Sequence, residues 1–458
     1  NIFALGERVR DNALDTLAGA SPAEAQALFV LNPAPFPRED PCELVLPASA
    51  SVPALVDERG QPLPVQEIRR DDAERRLLVG AAAPALGYRT LSIGAAAGPQ
   101  EMAASEGLSV SRETLENRFF RLRLDERGQI ASLYDKRAER EVIAPGEMGN
   151  ALLAFEDRPL DFDAWDINIY YQDKSYPIDD VTSWQVVETG PLRGGVEVVR
   201  RYGKSTITQR ILMYADTPRI DFPTVIDWHE QRTLLKAAFP VTINSPRATF
   251  DIQWGNVERP THWNTSWDWA RFESCAHKWA DLSEGDYGVS LLNDCKYGYD
   301  VKGHTLRLTL LKSATSPDGG ADQGRHEFAY ALLPHQGDWR TGETVRHAYL
   351  FNMPATARLA AGPRAGAETP AAMSLVTTDR PGLVIETVKA AENGDGIIVR
   401  LYEAHNTRGP AVLTFAREII SAEETNLLEE YAGPAEFAGR ELRLHARPYG
   451  IQTFRVRL

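Results

Sequence analysis

Apolar residues repeat on one helical face only near the N-terminus, where Ile2, Leu5, Val9, Ala13 and Leu17 precede Gly19 and Ser21-Pro22. That spacing predicts a single helix over residues 2 to 19, stopped by the glycine and the proline. Beyond it the pattern changes. QALFVLN, ELVLPA, PALVDERG, RRLLVGA and YRTLSIG are short apolar or alternating runs separated by Pro, Gly and Asp. Such runs predict a small antiparallel sheet domain of about 75 residues. Gly94 to Gly107 reads as a low-complexity linker. From Leu108 the strand signal resumes. LENRFFRLRLDERGQIASLYDK alternates over two strands, with Asp125-Glu126-Arg127-Gly128 as the turn and Gly128 placed for positive φ. No apolar pattern between 108 and 353 fits a helix longer than about two turns, so this region is expected to be one large β-sandwich with long loops. The stretch MPATARLAAGPRAGAETPAA (353–372) reads as a second linker, and five further runs from Met373 to Leu458 predict a last small sandwich.

A chain of 458 residues is too long for one core and predicts about three domains. Its net charge is −14, with no run of lysine and arginine, which argues against nucleic acid and anionic membrane as partners. No apolar run approaches the roughly 18 residues of a spanning helix. Cys42, Cys275 and Cys295 are an odd number without metal-ligand spacing. With no signal peptide at the start, they point to a reducing cytoplasm and to inert thiols at Cys275 and Cys295.

Unusual residues concentrate between Val225 and Asp300, which holds six of the nine tryptophans and three of the nine histidines. Each buried tryptophan contributes at most about 4 to 6 kcal/mol at roughly 25 cal/mol per Å², so most are expected in the core. HWNTSWDWARFE is different, because Asn264, Thr265, Asp268, Arg271 and Glu273 alternate with its rings. Apolar faces with convergent amides and carboxylates suit a sugar. Asp161, Asp163 and Asp166 around Trp165 lack the glycine and terminal glutamate of a calcium loop, so a solvated loop is expected there. Asp227 and His229 share one face of a strand while Glu230 points opposite. A buried structural histidine is the expectation for His229.

LFVLNPAPFPRE, DAWDINIYYQDK, IDWHEQRTLLKAAFPV, RPTHWNTSWDWARFESCAHKWADLSEGDYGVSLLNDCKYGYD and LLKSATSPDGGADQGRHEFAYALLPH together resemble the C-terminal half of family-38 glycoside hydrolases, the class II α-mannosidases, in their cytosolic branch. The resemblance implies a mainly β fold: a helix from the end of a helical bundle (1–22), a small β-sandwich (23–97), a large galactose-mutarotase-like supersandwich (107–355) and a C-terminal sandwich (371–458). It also implies an N-terminal catalytic domain that holds zinc, an aspartate nucleophile and an acid carboxylate, and that acts on α-mannosides with retention. None of those residues matches a position in this chain, so no catalytic or metal-binding residue is assigned to it. The LLNDCKYG segment matches the place where relatives offer a basic residue to the sugar, which implies Asp294, Lys296 and Tyr297 at the rim of a mannose site. Arg325 and His326 follow a Gly/Asp-rich turn that resembles the family's long loop toward that site. The implied partners are mannosides, the N-terminal domain and a further copy of the chain, in the cytoplasm. The alternative reading is a stand-alone carbohydrate-binding or scaffold module.

Overall fold

The computed structural model describes residues 2–19, 26–94, 107–360 and 370–458. Most of the expected linker after Gly94 lies outside them. The chain divides into two compact units, Asn1–Ala103 with Met353–Leu458, and Ala104–Asn352.

The first unit opens with the expected helix, Ile2–Ala18, and Gly19 ends it at φ +61°. The face that packs is not the one the spacing selects. Leu14 and Ala18 are buried, and Arg358 Nη2 lies 2.6 Å from Asp11 Oδ1, while Ile2, Leu5, Val9 and Leu17 are all more than half exposed. An eight-stranded sheet follows. Its edge-to-core alternation is plain in Cys42–Pro47, which buries every second side chain. The stretch expected to be a second linker contributes to this sheet. Thr356–Ala360 is a strand lying between Ala27–Asn32, to which it is antiparallel, and Cys42–Pro47, to which it is parallel. Ala357 and Ala360 are buried there, so small side chains that look like linker composition are what fits a crowded central strand. The C-terminal residues form a four-stranded and a five-stranded sheet around a core that includes Ile385, Val399, Leu401, Leu413 and Phe454.

The second unit is the large sandwich. Sheets of five, six and nine strands share one core in which Phe120, Trp228, Phe239, Tyr299 and Tyr330 are fully buried. The hairpin predicted at Asp125–Gly128 is present: Phe120–Leu124 pairs with Ile130–Asp135. Gly128 takes φ +69°, and Asp125 Oδ1 accepts from the Arg127 and Gln129 amides at 3.0 and 2.8 Å. One helix exceeds the expected two turns. Thr344–Asn352 has nine residues and buries Val345, Ala348, Tyr349 and Leu350. Its apolar stripe is too short for periodicity to separate it from a strand.

Of the six clustered tryptophans, Trp228 and Trp279 are fully buried core residues. Trp228 Nε1 donates to Ser313 Oγ at 2.6 Å, which satisfies its one polar atom. The others sit nearer the surface, and Trp267 is 76% exposed.

Candidate functional site

Asn293 ends the strand Tyr287–Asn293 and organises the turn that follows. Its side chain donates to His277 O at 2.6 Å and to the Tyr299 hydroxyl at 2.7 Å, and accepts from the Lys296 amide at 2.7 Å. A buried amide with all of these bonds made fixes the backbone of residues 294–297. Asp294 is exposed and turns its carboxylate to the neighbouring strand, accepting from the Ala329 amide at 2.8 Å. Lys296 forms no ion pair with it. The Lys296 ammonium lies 4.5 Å from the Phe328 ring centroid, a cation–π contact that holds the side chain over the sheet edge. Tyr297 is exposed, with its ring 5.5 Å from that of His277.

Arg325 and His326 do not lie on a loop, as the resemblance implied. They are the second and third residues of the 13-residue strand Gly324–Gln336, opposite Asp227 and Ile226. Arg325 pairs with Glu327 at 2.8 Å, and both are well exposed. His326 Nε2 lies 2.8 Å from Asp322 O. The structure therefore sets the 294–297 turn against Phe328 and Ala329 of the strand that carries Arg325 and His326.

Beside this region lies a charge cluster that sequence reasoning missed. Fully buried Lys236 places Nζ 2.7 Å from Asp300 Oδ2 and also contacts Glu273 Oε1. The Tyr171 hydroxyl donates to Glu273 at 2.6 Å, and Arg307 Nε donates to Asp300 Oδ1 at 2.7 Å. Two cations and two carboxylates balance. Burial by itself would lower the Lys236 pKa, but the Asp300 and Glu273 charges outweigh it and raise the pKa, so the ammonium stays charged. For Glu273 burial is the larger effect, and its pKa is raised despite Lys236. Glu273 thereby pins the HWNTSWDWARFE segment to the strands Thr233–Pro240 and Gly298–Lys302. Within that segment Ser266–Trp269 is one helical turn closed by a capping box between Thr265 and Asp268. The only sequence signal for this cluster is a lysine inside the apolar strand LLKAAFP.

Other candidates resolve as follows. Asp163 accepts from the Thr315 amide at 2.6 Å and its hydroxyl at 2.9 Å, while Asp161 and Asp166 are exposed. His229 is not buried: its side chain is 43% exposed, with Nε2 3.0 Å from Asp227 Oδ1. The strand ends at Trp228, so His229 passes out of the core. Cys275 and Cys295 are exposed rather than core residues, whereas Cys42 is buried. Partial burial, and then Asp294 beside it, push the Cys295 thiol up to about 11.

Residues 115–320 match the model of the glycosyl hydrolases family 38 C-terminal domain, and residues 382–454 match that of the family 38 C-terminal β-sandwich domain. The chain belongs to this family and carries its C-terminal domains. It is 39% identical over 347 residues to alpha-mannosidase 2C1 of Mus musculus, which takes in 74% of this chain and 33% of the mouse protein. It is 37% identical over 355 residues to alpha-mannosidase G of Dictyostelium discoideum, covering 74% and 32%. The chain thus spans about a third of the length of these curated relatives. The crystal structure of an alpha-mannosidase from Enterococcus faecalis V583 superposes with a TM-score of 0.76 at 16% identity, over 99% of this chain and 59% of that one, which shows a shared fold. Among the described residues no three His, Cys, Asp or Glu side chains converge on a point where a metal ion would sit. These residues do not fit the zinc that the family resemblance implies. Among them, too, no helix is long and apolar enough to cross a membrane.

Proposed function

We propose that this chain is the non-catalytic β portion of an α-mannosidase that hydrolyses α-linked mannose with retention, and that zinc, nucleophile and acid belong to an N-terminal portion of the intact enzyme. The observation that carries this reading is the match to both C-terminal family models together with α-mannosidase relatives along 74% of the chain. The exposed face of the Ile2–Ala18 helix is the proposed seat of that N-terminal portion, and the cytoplasm the proposed compartment.

In this reading the 294–297 turn is part of the rim of the mannose site. Lys296 and Tyr297 offer donors from a backbone held by Asn293, Asp294 keeps the turn on the strand, and Arg325 and His326 extend the same edge. Lys296 contributes binding and no chemistry. A charge-assisted hydrogen bond to a hydroxyl is worth about 1.5 to 3 kcal/mol. In the enzyme complete with its N-terminal portion, Lys296→Ala is expected to raise KM by about 10- to 150-fold with kcat nearly unchanged. Both constants within twofold of the parent would make the turn scaffold.

The second reading, a stand-alone carbohydrate-binding module, draws on the exposed Trp267 and Trp269. A reading frame that continues upstream with a strand-Gly-His-x-Asp pattern decides for the enzyme.

A further inference from the structure

Connections from two sheets of the large sandwich meet at one place: residues 144–147, 241–246, 261–262 and 303–304 enclose a cleft of about 780 Å³. A second recess of about 520 Å³, between 246–247, 258–260, His262 and Asp268, shares Pro246 and His262 with the first. Each volume lies in the roughly 300 to 1,000 Å³ range of small-molecule sites. The walls are tied to one another by hydrogen bonds: Val241 N to His304 O at 2.9 Å, Gly303 N to Thr261 O at 2.8 Å, and Thr261 Oγ1 to Ser245 O at 2.7 Å. A groove built this way exists before any ligand arrives, which lowers the ordering cost of binding.

Its chemistry is mixed. Pro145 and Pro246 give exposed apolar wall, with the core residues Val241 and Ile243 beneath. Among the described residues the Asn244 side-chain amide makes no hydrogen bond. His304 Nε2 meets Glu147 Oε1 at 2.8 Å, leaving Nδ1 open. His262 Nδ1 stands 3.7 Å from Asp268 Oδ2, and Arg259 Nε is buried without a hydrogen-bond partner. Arg247 is already paired with Glu258 at 3.0 Å. An anion would therefore face the carboxylates of Glu147, Glu258 and Asp268, and a cation would face the Arg259 guanidinium, which lies 5.7 Å from the Phe250 ring centroid. A polyhydroxylated ring needs donors and acceptors together, plus an apolar surface for its C–H face, and this groove has all three.

We infer that the paired recesses around His262 form a binding groove for a neutral oligosaccharide, with Asn244 and His304 in one subsite and Arg259 and Asp268 in the other. His262 and Asp268 are the residues of the segment HWNTSWDWARFE that line these recesses, and the mannose-rim proposal leaves them unused. The inference rests on the groove and not on the α-mannosidase reading.

The test uses the 458-residue chain. Calorimetric titrations with α-manno-, β-gluco- and heparin-derived oligosaccharides are compared for the parent, Asn244→Ala, His262→Ala and His304→Gln, with Arg443→Ala, at an exposed position of the C-terminal sandwich, as control and circular dichroism as the check on folding. At a net worth of about 0.5 to 1.5 kcal/mol per hydrogen bond, each groove variant is expected to weaken binding of one neutral series by about 2- to 13-fold. Arg443→Ala is expected to leave it unchanged. Absence of saturable binding to either neutral series, preference for the heparin series, or equal affinity in parent and groove variants would overturn the proposal.

Discussion

Replacing Lys236 with methionine tests whether the buried charge cluster is what holds the large sandwich's loops to its sheet. Methionine is close in volume, so the change removes the ammonium and leaves little cavity. Glu273 and Asp300 then face each other with only Arg307, which reaches Asp300 Oδ1 at 2.7 Å, and Glu273 keeps only the Tyr171 hydroxyl. Removing one partner of a buried pair typically costs about 3 to 5 kcal/mol, because the remaining charge is uncompensated. At about 2 to 4 °C per kcal/mol for a unit of this size, the expected fall in Tm is about 6 to 20 °C. Near-UV circular dichroism reports it, since buried Trp228 and Trp279 lie in the same unit. Adding Glu273→Gln to Lys236→Met removes one orphaned charge and is expected to recover part of the loss. A fall below about 1 kcal/mol, the range of an exposed pair, would refute the reasoning. So would a double variant no more stable than the single one.

Three further outcomes are expected. Glu273 has a raised pKa, so the folded chain holds its proton more tightly than the unfolded chain. Its contribution to stability is largest at pH below the ordinary value of 4.5 and declines as pH rises from there through its raised value, and Glu273→Gln should remove that slope in pH-dependent melting curves. Sedimentation of the isolated chain should show self-association through the exposed helix face, reduced in Val9→Glu with Leu17→Lys; a monodisperse parent would count against a covered face. Elemental analysis should find no stoichiometric zinc, and one tightly held zinc per chain would mean that a site forms from residues judged unable to make one.

What the sequence revealed follows from how local the cause is. The hairpin at Asp125–Gly128 needs only its own four residues, since Gly128 supplies positive φ and Asp125 caps the turn. The strand Phe120–Leu124 buries alternate residues and reads directly. Thr356–Ala360 does not, because its partners lie more than 300 residues away in the strands Ala27–Asn32 and Cys42–Pro47. Helix periodicity located Ile2–Ala18 but chose the wrong face, since packing is decided by Arg358 reaching Asp11. The 294–297 turn was legible as a loop. Asn293 as its organiser was not, because its amide looks like any other until His277 and Tyr299 are folded around it.

The insertion of Thr356–Ala360 into the first sheet has a consequence for synthesis. Ala27–Asn32 and Cys42–Pro47 emerge from the ribosome before the large sandwich, yet the strand that belongs between them follows only after the whole of that sandwich has been made. At about 5 to 20 residues per second, the two strands wait on the order of 15 to 60 s with a gap at the centre of their sheet. During that interval Leu28, Val30 and Leu44, which end as core, sit beside unfilled backbone hydrogen-bonding positions that any other extended segment can occupy. Chaperone demand during synthesis of this region is therefore expected to fall on these two strands and to end when residue 360 has cleared the exit tunnel.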